Sequence, residues 1–230
     1  MGIHNLSISV ILIVINVIVF FVVQNDAAKM QRMLFVNERV RRFKEYDRLF
    51  LSGFIHAGIL HLGFNCMTLY FFGPTLEIMI GRTLFLILYL ASIIGGNLYC
   101  MLMRKEDAGY SALGASGGVL GVIFGFVLLE PFATLSLMIL PIRIPAWLFG
   151  IIFTLSSILL TQLKLGGEAR ISHEGHLGGA LIGGIIVLSA GLVDFSVPEN
   201  LFFIAGGLLP IVLFGSIKAI APNLLYKHNR

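Results

Sequence analysis

Two short stretches, far apart in the chain, hold residue types from which a hydrolytic site could be built. Gly114-Ala115-Ser116-Gly117-Gly118 sets a serine among glycines where the polar stretch from Arg104 to Tyr110 gives way to an apolar run. The missing side chains leave the hydroxyl uncovered and let other backbone come close, so Ser116 is placed to be a nucleophile. The competing reading of the same glycines is tight helix packing. His173-Glu174-Gly175-His176-Leu177-Gly178-Gly179 opens a second apolar run. An imidazole there suits proton transfer from a hydroxyl near neutral pH. His56, His61 and Asn65 stand at the head of a third run. Strongly polar side chains in a membrane helix are unfavourable without partners and usually mark function.

The composition puts those runs in a bilayer. Hydrophobic residues make up 57% of the 230 and charged residues 12%, with a mean hydropathy of +0.94. A soluble domain carries about a quarter charged residues, so the expected class is an all-α polytopic membrane protein. Cys66 and Cys100 both fall within apolar runs, which suits neither a disulfide framework nor a zinc ribbon. The net charge of +4 is spread over loops with no basic run interleaved with aromatics, so no nucleic acid is implied as a partner.

Seven spans are expected in a single membrane domain covering 1–230. The first, Ser7 to Val23, has no basic leader or small-residue cleavage site and reads as a retained span, not a signal peptide. The others cover about 54–80, 83–103, 116–130, 146–163, from Ser172 past Gly184, and 201–220. Between the first and second, the stretch 24–53 mixes seven Lys and Arg with apolar residues at helical spacings. It reads equally as short amphipathic helices in the interface or as a charged connector. Glu77 is expected to pair with Arg82 or to cap local backbone. The connection from Pro131 to Pro145 reads as an extended or interfacial segment.

The fourth span is short. From Ser116 to Glu130 it measures about 22 Å at the helical rise, against a hydrocarbon core of roughly 30 Å. Ser116 therefore need not lie at the surface, and a helix that starts part-way down behind an inward-dipping loop is tolerated only inside protein or beside a watery cavity. Gly117, Gly121 and Gly125 form a smooth stripe, and His176, Gly179 and Gly183 form another at i, i+3 and i+7. Packing stripe against stripe would bring His176 to Ser116, and both lie at helix starts on the same side of the membrane.

These motifs together resemble the rhomboid intramembrane serine proteases. His56-x4-His61-Leu62-x2-Asn65, Gly114-Ala115-Ser116-Gly117 and His176-x2-Gly179-x3-Gly183 match the family's signatures in order, over a core of about 48–184. The resemblance implies a six-helix core with one added C-terminal transmembrane helix. It also implies an intramembrane serine endopeptidase that cleaves transmembrane segments of other membrane proteins in the lipid bilayer.

In that reading Ser116 is the nucleophile and His176, uncharged near neutral pH, the general base and acid. No carboxylate is placed to complete a triad: Glu174 is two residues from His176 and points elsewhere. The oxyanion would be held by Asn65, His61 and the Ser116 backbone N–H, one of the unpaired donors at a helix start. His56, Gly114, Gly117, Gly179 and Gly183 are supporting residues. No cofactor or metal is implied, and the expected location is the plasma (inner) membrane of a prokaryote, as a multi-pass protein.

Two departures from the family pattern stand out. Leu120 replaces the aromatic that often stacks on the catalytic imidazole, so packing must orient His176. Asp47-Arg48 replaces an aromatic followed by arginine. The alternative reading within the family is an inactive relative that binds or escorts transmembrane clients. A metal hydrolase using His173 and His176 is disfavoured, because H-E-x-H is one residue short of the zincin spacing. In the seven-span arrangement every Lys and Arg except Arg82 and Arg143 falls on the active-site side. Charge bias alone puts that side in the cytoplasm, whereas the family resemblance implies that it faces outward.

Overall fold

In a bilayer every backbone amide of a spanning segment must be satisfied within the chain, and the apolar runs meet that condition as helices. The computed structural model describes residues 6–136, 143–163 and 172–221. In order, α1 (Ile8–Val23) is followed by α2 (Ala27–Met33), β1 (Phe35–Val36), α3 (Asn37–Arg41) and α4 (Arg48–Leu51). Then come α5 (Ile59–Ile80), α6 (Arg82–Met103), β2 (Ser111–Ala112) and α7 (Ser116–Leu129). The chain continues through β3 (Thr134–Ser136), β4 (Arg143–Pro145), α8 (Ala146–Leu163), α9 (His173–Ser189), α10 (Pro198–Phe203) and α11 (Leu209–Ile220). Chain 82–103 and chain 198–220 are each long and apolar enough to cross a membrane. The first, fourth and fifth expected spans are shorter apolar helices, and 48–54 meets 59–80 at a bend of 94°.

Three details differ from the sequence reading. The last helix begins at Pro198, not near 201, because a proline in the first turn gives up no needed hydrogen bond. It is interrupted by a π-helical turn over Ile204–Leu208, where Gly206 and Gly207 sit against Ile151 and Phe203. The class is helical apart from two antiparallel ribbons in the connections, Phe35↔Ala112 with Val36↔Ser111, and Thr134↔Pro145 through Ser136↔Arg143.

The centre is a trio of α6, α7 and α9, with α7 innermost: every residue from Gly118 to Leu128 is buried. Small residues make this possible. A Cβ added at Gly179 would lie 2.1 Å from the Gly117 carbonyl oxygen, and one at Gly183 would lie 2.2 Å from that of Gly121. The helices therefore meet backbone to backbone along the two stripes. The sequence reading overlooked that α6 supplies the third wall. A Cβ at Gly96 would lie 2.6 Å from the Gly175 carbonyl oxygen, and one at Gly121 would strike the Ser92 hydroxyl.

The hydrophilic stretch after α1 is folded, which favours short helices over a connector. Arg48 is buried and is its hub: Nη1 donates to the carbonyls of Gln31 and Leu34 at 2.7 Å each, and Nε pairs with Glu45 at 2.5 Å. Buried Asn37 donates to the carbonyls of Arg104 and Asp107. Phe35, Val40 and Leu49 pack with Cys100, Tyr110 and Ala112 in a second small core. Glu77 caps a helix other than its own, where the sequence suggested local backbone. It accepts from Ile8 N–H at 2.9 Å, Ser9 N–H at 3.1 Å and the Ser7 hydroxyl at 2.6 Å, tying the start of α1 to the end of α5, with Arg82 3.7 Å away.

Candidate active site

Ser116 is the first residue of α7 and His176 lies in the first turn of α9. Their side chains meet: Ser116 Oγ is 2.8 Å from His176 Nε2. With the ring proton on Nδ1, the serine donates to Nε2, which is the geometry of a general base on its nucleophile. The contact follows from the interlocked glycine stripes, since both residues stand on the helices that those stripes hold together.

The turn before Ser116 is shaped by Gly114, whose φ of +115° lies in the region that favours glycine. A Cβ there would lie 2.6 Å from His61 Cε1, so the glycine lets the His61 ring come within contact of the serine loop. The Gly114 N–H donates to the Ser52 carbonyl at 2.9 Å. Asn97, buried in α6, donates to the Ser52 hydroxyl at 2.9 Å and the Leu49 carbonyl at 2.8 Å. Sequence reasoning passed over Asn97, although an amide inside an apolar span was a signal that it had a partner.

His61 and Asn65 share one face of α5. The Asn65 amide donates one hydrogen to the His61 carbonyl at 2.9 Å, and His61 Nδ1 accepts from the Ala57 N–H at 3.4 Å. His56 is buried and meets His61 edge to face, with ring centroids 5.1 Å apart. A cavity of about 20 Å³, room for about one water, lies against Ser116 and is lined by Gly114, Gly117, Asn97, Ser172 and Gly175 among others.

Two rings flank His176: Phe153 of α8 at 6.3 Å between centroids and His173 at 6.2 Å. Phe153 is thus an aromatic ring beside His176, while Leu120 is buried in the core. Phe153 is itself packed on Phe149 and Phe124, and Phe124 on Phe203 of α10. Among the described residues no carboxylate hydrogen-bonds to His176. Glu174 turns to Arg104 and Tyr110. Among the same residues no three His, Cys, Asp or Glu side chains gather as a metal site.

A family model described as the Rhomboid domain matches residues 44–192. The chain belongs to the rhomboid family. This rhomboid is 34% identical over 136 residues to Rhomboid protein 1, mitochondrial, of Saccharomyces cerevisiae, which covers 57% of the chain and 38% of that protein. It is 34% identical over 153 residues to RHOMBOID-like protein 12, mitochondrial, of Arabidopsis thaliana, covering 60% and 44%. With the Putative rhomboid protease YdcA of Bacillus subtilis the identity is 40% over 84 residues, covering 36% and 41%. The matched stretches span about two fifths of the length of these relatives. The membrane helices and the family together make this an integral membrane protein.

Proposed function

We propose that this rhomboid is an intramembrane serine endopeptidase that cuts transmembrane segments of other membrane proteins through a Ser116–His176 dyad. The observation that carries the reading is the 2.8 Å contact between Ser116 Oγ and His176 Nε2. As the hydroxyl attacks the scissile carbonyl carbon, His176 takes its proton and a tetrahedral oxyanion forms. The Ser116 N–H at the open start of α7, with donors from His61 and Asn65, stabilises that charge. Collapse of the intermediate expels the amine, which takes the proton from His176 and leaves an acyl-serine. A water in the small cavity then repeats the sequence and frees the enzyme.

The wider reading keeps seven spans, with the catalytic mouth outward and the plasma membrane of a prokaryote as the site. The span count and orientation rest on hydropathy and the family resemblance. Rhomboid protease GluP of Bacillus subtilis, 30% identical over 147 residues, supports a prokaryotic membrane, whereas the relatives named mitochondrial support an organelle membrane. Metal and cofactor have no role in this chemistry.

The test is cleavage of a transmembrane reporter substrate by the purified protein. Ser116→Ala and His176→Ala are each expected to abolish cleavage, by about a thousandfold or more, while helical content and thermal unfolding persist. A chelator is expected to change nothing. Cleavage that survives either substitution, or is lost to the chelator, overturns the reading; an inactive client-binding relative would retain the reporter uncut in the unsubstituted protein.

A further inference from the structure

A buried ionic network lies beside the dyad without touching it. Glu174 is only 3% exposed. Its carboxylate takes Arg104 Nε at 2.5 Å and a second nitrogen of the same guanidinium, and it accepts from the Tyr110 hydroxyl at 3.3 Å. The Tyr110 oxygen is also 2.7 Å from the Ser172 hydroxyl, and Ser172 Oγ accepts the Gly175 N–H at 3.1 Å as the cap of α9. Arg104 closes the end of α6, and its guanidinium lies 5.5 Å from the Tyr110 ring centroid.

A first-turn glutamate that merely complemented the helix dipole would do so from water. This one is desolvated and fully partnered instead. A buried ion pair adds little net stability compared with apolar residues of the same volume, so its effect has to be sought in the geometry that it fixes. What it fixes is the relation between two backbone segments. Glu174 and Ser172 belong to the turn that carries His176, and Tyr110 belongs to the connection that reaches Ser116 six residues later. Glu174 lies two positions from His176 on the helix and so faces away from it.

We infer that the Arg104–Glu174–Tyr110–Ser172 network is a positioning clamp that sets the Ser116–His176 separation, with Glu174 as its centre. The inference rests on the dyad reading above. A displacement near 1 Å at such a pair lowers the rate by on the order of a hundredfold, so loosening the clamp slows the chemistry and leaves substrate affinity alone.

The test uses the full chain in bicelles with a fluorophosphonate probe, whose adduct is mapped by peptide sequencing. The endpoint of labelling counts folded sites, and the rate constant reports how well each site is set. The double variant Arg104→Met with Glu174→Leu replaces the pair by apolar groups of similar volume and is expected to keep the endpoint and thermal stability. Its labelling rate constant is expected to fall about tenfold or more, with kcat for a transmembrane reporter falling in step and KM unchanged. Tyr110→Phe keeps the ring, removes the bridging hydroxyl, and is expected to slow labelling about threefold.

A wild-type rate constant in the double variant, or a lower endpoint with an unchanged rate constant, overturns the clamp and leaves the dyad reading intact. If the double variant does not fold, Tyr110→Phe decides, and a wild-type rate there overturns the clamp. A wild-type protein that is not labelled at Ser116 overturns the dyad reading, and the clamp falls with it.

Discussion

Phe153 sits 6.3 Å from a histidine 23 residues further along the chain, and only the packing of α8 on α9 brings the two rings together. Aromatic neighbours at this distance contribute about 0.5–1.5 kcal/mol beyond their burial. Phe153→Leu is therefore expected to slow phosphonate labelling of Ser116 by roughly two- to tenfold, with KM for a transmembrane reporter unchanged; equal rates would remove Phe153 from the account. Gly114 is the second residue where one atom matters. Gly114→Ala forces a side chain into a positive-φ turn and against the His61 ring. It is expected to lower stability by about 1–3 kcal/mol, read by thermal unfolding, and to lower activity more than that loss of folded protein explains. The Ser116 and His61 neighbourhoods were legible because each motif is contiguous. Phe153 was not, because its meaning depends on a contact between separate helices.

At the scale of helices, the glycines divide into those that touch backbone, those that touch side chains and those that touch nothing. Gly179→Ala would place a methyl 2.1 Å from the Gly117 carbonyl oxygen, which no rotamer can relieve, and must push α9 off α7. The expected loss is about 1–3 kcal/mol or more, with cleavage lost as well. Gly63 on α5 has nothing within 4 Å of an added Cβ. Gly63→Ala is expected to be neutral or to stabilise by up to about 1 kcal/mol through helix propensity. A thermal-shift comparison of the two variants checks the contrast, and equal shifts would refute it. The stripes on α7 and α9 could be read from spacing alone. The share of α6 could not, because Ser92 and Gly96 make a wall only once three helices converge. The π-helical turn of the last helix was equally hidden, since it depends on how Gly206 and Gly207 meet Ile151 and Phe203.

Across the whole molecule, Arg48 joins the folded stretch after α1 to itself, and its carboxylate partner gives it a pH limit. The Arg48 guanidinium holds Glu45 below its ordinary value of 4.5. A depressed carboxylate stabilises the folded form above the unfolded pKa, and that contribution disappears as pH falls through the folded value. Limited proteolysis between α1 and α5 is therefore expected to be unchanged from pH 8 to about 5 and to rise below about 4.5. In Arg48→Ala it should be fast at every pH. Membrane orientation belongs to this scale too. A reporter fused after Arg230 is expected on the outer side, with the catalytic mouth; a cytoplasmic reporter would mean that the charge bias prevails over the family pattern.

The serine-bearing helix has protein on every side along its buried length, from Gly118 to Leu128. That length offers no open face to acyl chains, so bilayer thickness and fluidity are felt along it only second-hand, through the surrounding helices. Chemistry and delivery should then respond differently to lipid. Reconstituted in short- and long-chain phosphatidylcholine, the protein should react with a small soluble phosphonate at one rate, while its turnover of a membrane-borne polypeptide follows the host membrane.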